Sequence, residues 1–221
     1  MRKTKQVYSG GVPVQRVLHP RSTLVVPVAV AATVLVGGEL VTNGIFAVSA
    51  TGWTLETGWI YDTDKVTKNA NGLGTLSQAS IILGGKKYRL VFTMASRTAG
   101  SLVPQLGGTN GTSRLSDTTF TEYISAGADG DLVFTPSNDG RFSVSAVSVK
   151  EVLNLTTLGE VIRVISTADC YIRFGLTDLV LATSNDMFLK AGIEYYFSVR
   201  DRYLSVIRDS GDGNLYITLM D

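Results

Sequence analysis

The chain has 221 residues, enough for one large or two modest domains, each with a sizeable core. Its 20 Lys and Arg nearly match its 19 Asp and Glu, so overall charge selects no class of partner. A single Cys excludes an intramolecular disulfide framework, and a single His excludes a histidine-rich metal centre.

Charge distribution along the chain is uneven. Residues 1–38 carry Arg2, Lys3, Lys5, Arg16 and Arg21 with no acidic residue, a balance of +5. The remainder holds 15 basic and 19 acidic residues, a balance of −4. A basic arm ahead of a mildly acidic body is expected to dock on something negative: an acidic protein surface, nucleic acid or lipid. The candidate contact residues are Arg2, Lys3, Lys5, Arg16, His19 and Arg21. Nucleic acid is the less favoured partner. The arm offers only Tyr8 for stacking, and the body has no basic stripe. Within the arm, Leu24–Val36 is apolar apart from Thr33. Its 13 residues are too few to cross a bilayer, which takes about 20, so no membrane association is expected. Pro27 interrupts the run and valine supplies much of it. One or two strands are therefore expected there, and no signal peptide.

From Glu39 to Val152 the pattern is that of a β-sandwich. Gly, Thr, Ser and Val dominate, turn signals recur about every ten residues, and nothing reads as a long helix. Tyr88, Leu90, Phe92 and Met94 alternate onto one face of a strand. Gly84-Gly85-Lys86-Lys87, Gly107-Gly108-Thr109-Asn110-Gly111 and Asn138-Asp139-Gly140 supply turn chemistry. The run Phe142–Val149 changes phase midway, which predicts a bulge or a strand buried on both faces.

Leu153–Asp221 reads as a smaller β unit. Its candidate strands are Val161–Ile165, Tyr171–Phe174, Leu179–Thr183, Tyr195–Arg200, Tyr203–Ile207 and Leu215–Leu219. The expected fold is all-β: an extended arm over 1–38, a jelly-roll or β-sandwich domain over 39–152, and a small C-terminal β-sandwich or barrel-like domain over 153–221.

Residues able to carry chemistry are sparse. His19 lies beside Pro20 in the arm, away from any buried acid–base environment. Cys170 sits in the strand-like run 169–174 and reads as a small buried hydrophobe. Asp129 and Asp131 pair within a Gly-rich turn, where Asp is common anyway. No Walker loop, dinucleotide fingerprint or nucleophile elbow is present, so neither catalysis nor a cofactor is expected. Asp209–Asn214 resembles the start of a calcium loop but lacks the downstream Glu. It is read as a hairpin turn joining 203–208 to 215–219. If 53–61 is one extended strand, Trp53, Leu55, Thr57, Trp59 and Tyr61 share a face. Trp53, Trp59 and Tyr61 are then either a stacking platform for sugar rings or large buried area in a core or interface, the favoured reading.

Two resemblances add to this. Leu40–Phe46, Gly52-Trp53, Tyr88–Thr93, Phe120–Ile124, Asp139–Phe142 and Val147–Val152 together resemble a carbohydrate-binding-module-type jelly roll, over about half the chain. In sugar-binding relatives, acidic residues near the Asn-Gly-x-Phe element and before the closing strand help hold a structural calcium. Ala47 and Ser145-Ala146 stand there instead, so no calcium is expected. Residues 169–175, 182–187, 189–192 and 194–197 resemble small β domains of phage head and tail accessory proteins.

The combination implies a virion protein made in the host cytoplasm: a capsid decoration or cement protein, homo-oligomeric with a trimer favoured. Its arm would lie along the major capsid protein or another virion protein. Leu24–Val36 would pair as an added strand with a sister subunit or with the capsid. The alternatives are a tail or neck accessory protein that contacts the host, and a carbohydrate-binding module. Weak affinity for a surface glycan is compatible with each.

Overall fold

The computed structural model describes residues 5–9, 12–16, 20–29, 33–154, 161–177, 180–198 and 203–220. The protein is all-β, with no helix among the described residues. It divides into a larger unit, Gly37–Val152, and a smaller one built from Met1–Val36 together with Leu153–Asp221.

The larger unit contains β5 (Val36–Glu39), β6 (Thr54–Leu55), β7 (Trp59–Tyr61), β8 (Val66–Lys68), β9 (Leu76–Ile82) and β10 (Lys87–Ala99). After these come β11 (Leu102–Leu106), β12 (Thr109–Asn110), β13 (Thr118–Ser125), β14 (Gly130–Pro136) and β15 (Arg141–Val152). One sheet runs β13-β10-β15-β8-β7, with β5 also on β15, and the other runs β12-β11-β14-β9-β6. Both contribute side chains to a single apolar core, which makes the unit a sandwich. Strand β10 shows why. Tyr88, Leu90, Phe92 and Met94 are at most 1% exposed, while the residues between them remain half-buried on the outer face. The Tyr88 hydroxyl also fastens the turn before its strand: it donates to the Leu83 carbonyl (3.1 Å) and accepts from the Leu83 amide (2.8 Å). The expected phase change in 142–149 is a bulge. Ala146 has φ +49°, and the β10–β15 register slips between Val91 and Thr93.

A row of aromatic rings crosses this core. Phe46 packs on Trp53 (5.2 Å between centroids), Trp53 on Phe134 (6.4 Å), Phe134 on Phe92 (5.1 Å) and Phe92 on Phe120 (5.3 Å). The Arg114 guanidinium covers the outer end, 4.7 Å from the Phe120 ring centre, and pairs with Glu122 at 2.7 Å.

The smaller unit is built from both ends of the chain. Its N-terminal part holds β1 (Lys5–Ser9), β2 (Val12–Arg16), β3 (Pro20–Val28) and β4 (Thr33–Val34). Its C-terminal part holds β16 (Val161–Ser166), β17 (Cys170–Gly175), β18 (Met187–Leu189), β19 (Glu194–Ser198), β20 (Tyr203–Arg208) and β21 (Gly213–Met220). The sheets are β19-β16-β21-β3 and β18-β17-β20-β4, sharing one core, with β1-β2 as a separate two-stranded sheet.

Three expectations are corrected here. Residues 20–28 and 33–34 are not part of a free arm, and these parts of the apolar run do not wait for another subunit: β3 pairs with β21, and β4 with β20, within the same chain. The physical reason is burial, since Val26, Val28, Val34 and Leu35 are at most 1% exposed. Residues 209–214 do not close a hairpin, because β20 and β21 belong to different sheets; they carry the chain from one layer to the other. Of the segment expected as a strand over 179–183, residues 180–183 are irregular. Val180 and Ala182 are buried nonetheless, and the Ala182 amide donates to Ser205 Oγ at 3.1 Å.

Leu35 occupies the junction of these elements. It is fully buried; its amide donates to the Leu204 carbonyl (3.0 Å) and its carbonyl accepts from the Leu153 amide (3.1 Å). Leu35→Ala is expected to cost about 2–5 kcal/mol, read as a lowered urea midpoint for the full chain. An unchanged midpoint would show that the N-terminal segment is not integral to the unit.

Candidate functional site

The basic N-terminal segment is the first candidate. Strands β1 and β2 form an antiparallel hairpin in which Lys5 stands opposite Arg16 and Ser9 opposite Val12. Arg21 lies in β3, where Arg21 and Ser22 together face one residue of β21, a bulge on an edge strand. Arg2, Lys3 and His19 lie outside the described residues. The fold therefore brings Lys5 and Arg16 into register and sets Arg21 on a sheet edge.

The tryptophans do not form a stacking platform. Trp53 is 9% and Trp59 5% exposed, and both belong to the core. Trp53 Nε1 donates toward the Thr42 (3.2 Å) and Asn43 (3.3 Å) carbonyls, and Trp59 Nε1 to the Gly74 carbonyl (2.8 Å). The glycan-stacking reading fails because 53–61 is not one strand. Gly58, at φ +87°, turns the chain between β6 and β7, which belong to opposite sheets. Tyr61 is half-buried and packs against the same core.

The loop 41–53 is held by side-chain amides. Asn43 Nδ2 donates to the carbonyls of Ser49 (2.8 Å) and Thr51 (3.2 Å). Gln78 Nε2 donates to those of Thr42 (2.9 Å) and Gly52 (3.2 Å). Uncharged donors thus occupy carbonyls that converge around the loop. Among the described residues no three of His, Cys, Asp and Glu gather to hold a metal ion.

The shifted titratable groups have structural explanations. Burial pushes the Cys170 thiol up, leaving it less thiolate than an exposed cysteine. Glu56 is lowered because its carboxylate accepts from the Thr75 amide (2.7 Å), tying two loops together. Asp169 is lowered by the Ala191 amide (2.8 Å) and then by Lys190 Nζ (2.5 Å), which fastens the turn after β16 to the turn after β18.

No family model matches the chain, and no curated protein matches it in sequence. Among solved structures it is similar to the N-terminal CBM22-1–CBM22-2 tandem domain from Paenibacillus barcinonensis Xyn10C. That similarity has a TM-score of 0.38 and 8% identity, covering 83% of this chain and 97% of that chain.

Two outcomes are expected. Trp59→Ala should destabilise the larger unit by about 3–5 kcal/mol in chemical denaturation, as loss of a core aromatic does; a cost near zero would return Trp59 to the surface. Asp169 has a lowered folded pKa, so its stabilisation is complete above the unfolded carboxylate value of about 3.9 and is lost as pH falls through the folded value. Asp169→Asn should therefore be less stable than wild type at neutral pH, the gap closing in strong acid. A gap independent of pH would remove the charge from the explanation.

Proposed function

We propose that this is a non-catalytic structural protein of a virus particle, a capsid decoration or cement protein that attaches through its basic N-terminal hairpin. The observation that carries the reading is the separate β1–β2 sheet. Among the described residues, two five-residue strands pair only with each other in a segment rich in Lys and Arg. A two-stranded ribbon alone is marginal in water and gains stability when a further surface packs on it or adds a strand. An acidic face on the major capsid protein, or on another virion protein, meets that need and complements the charge.

Further support comes from the rest of the fold. Its shifted acids and its thiol are accounted for by turns and burial, which favours a structural role over catalysis. The smaller unit leaves Leu176, Leu181, Met187 and Phe188 exposed, apolar area that self-association into a symmetric oligomer, a trimer on this reading, would cover. A tail or neck location with host contact is the second form of the same proposal. A free carbohydrate-binding module is disfavoured, because both tryptophans that would stack on sugar are buried.

The test is quantitative mass spectrometry of purified particles, with the chain scaled to the most abundant shell protein. A simple fraction of the shell copy number is expected, falling to background when residues 1–16 are deleted while the thermal transition is kept. A handful of copies would move the protein to the neck or tail. Absence from particles would overturn the reading.

A further inference from the structure

The larger unit carries a cavity of about 220 Å³ where β8 meets β15 in its six-stranded sheet. Among its lining residues are Asp62, Lys65, Lys68, Asn69, Ser96 and Arg141. Their charges do not balance: three cations face one carboxylate, leaving +2. Asp62 pairs with Lys65 at 3.5 Å, which accounts for that cation alone. Lys68 is 1% exposed, and its ammonium donates only to neutral carbonyls, those of Ala70 (2.6 Å) and Thr57 (3.4 Å). Arg141 likewise spends Nη1 on the Gly140 carbonyl (2.8 Å) and Nη2 on the Asn71 side-chain oxygen (2.6 Å). A guanidinium has five N–H donors, so most of its capacity is left over.

We infer that this cavity is a binding site for a small oxyanion: the carboxylate, sulfate or phosphate group of an acidic monosaccharide-sized molecule. Arg141 supplies a planar fork suited to such a group, and Lys65 adds an exposed charge beside it, shared with Asp62. Lys68 contributes from beneath as a fixed positive field. It is held in place by the two carbonyls and is already pushed below its ordinary pKa, first by burial and then by the charge of Arg141. An anion between these cations relieves that repulsion. The Asn69 side-chain amide and the Ser96 hydroxyl make no hydrogen bond to the described residues and are available for the hydroxyls of the guest. The volume suits one sugar ring or an inorganic phosphate and is too small for a folded peptide. This inference does not depend on the particle reading, since every residue in it belongs to the larger unit.

The experiment is titration of the full chain with glucuronate, inorganic phosphate and glucose, following backbone amide NMR shifts of 62–71, 96 and 141–143. Glucuronate is expected to bind at about millimolar Kd, as a few solvent-reachable charge contacts allow, and to weaken as salt rises. Phosphate binding more tightly than glucuronate would mark a free phosphate as the guest, and the reverse a sugar acid. Arg141→Gln should weaken binding about tenfold, while Asp62→Asn, which removes the only carboxylate, should tighten it. A merely structural role for these side chains predicts no such opposite pair of effects. Glucose binding as well as glucuronate, no shifts with any probe at tens of millimolar, or an Asp62→Asn variant that binds more weakly would each overturn the proposal.

Discussion

The smaller unit exists only because the two ends of the sequence pair. Strand β3, within residues 20–28, lies antiparallel to β21, within 213–220, and β4 completes the opposite sheet against β20. Without them the sheets would shrink to three strands each, with the edge moved to β21 and β20, and Val26, Val28, Val34 and Leu35 would lose their core. Closing so long a loop carries an entropic cost, but one that grows only with the logarithm of length. The larger unit, whose 116 residues lie in sequence between the two halves, can therefore be accommodated without forfeiting the pairing. Proline is tolerated at Pro20 and Pro27 because β3 is an edge strand, where a missing amide donor leaves no internal ladder unmade.

The same logic of closure governs the larger unit through its aromatic row. Phe46 adopts φ +52°, a conformation that a residue with a bulky side chain takes up only under constraint. The compensation is complete burial of its ring against Trp53. Gly44 makes this entry possible: its carbonyl accepts from the Val147 amide (2.9 Å), and a Cβ there would collide with the Val147 carbonyl oxygen. The loop 41–53 is thus pressed against the bulged strand β15 by backbone contact. Asn43 and Gln78 then hold its carbonyls.

Period-two patterns were legible wherever one face is buried: Tyr88–Met94 and Leu215–Leu219 place the expected residues in the core. The bulge in β15 was legible too, because a single inserted residue reverses the alternation. What local pattern cannot carry is partnership. The run 24–36 reads as strand whether its partner is another protein or the far end of its own chain. Asp209–Asn214 has the same turn chemistry whether it closes a hairpin or crosses between sheets. Trp53 and Trp59 share a face only on one continuous strand, and the left-handed residue Gly58 breaks that strand. Leu179–Thr183 has strand composition, yet its buried amide at Ala182 is satisfied by a serine hydroxyl rather than by a ladder.

The cationic cavity was not legible at all, for a related reason. Lys65 and Lys68 are more than 70 residues from Arg141 in sequence, and none belongs to a recognisable motif. Their meeting is a consequence of register: Thr67 opposite Ser143 and Lys68 opposite Phe142 set Arg141 one step beyond the pairing. Lys68 then follows the inward phase of Val66, so a charge is carried into a position the alternation reserves for apolar side chains. A buried ammonium is costly unless something negative or strongly dipolar faces it, and here neutral carbonyls do so. They take up two of its three N–H donors but leave its charge unanswered. That distinction separates a lysine serving only as a clasp from one that also leaves a field for a guest to answer.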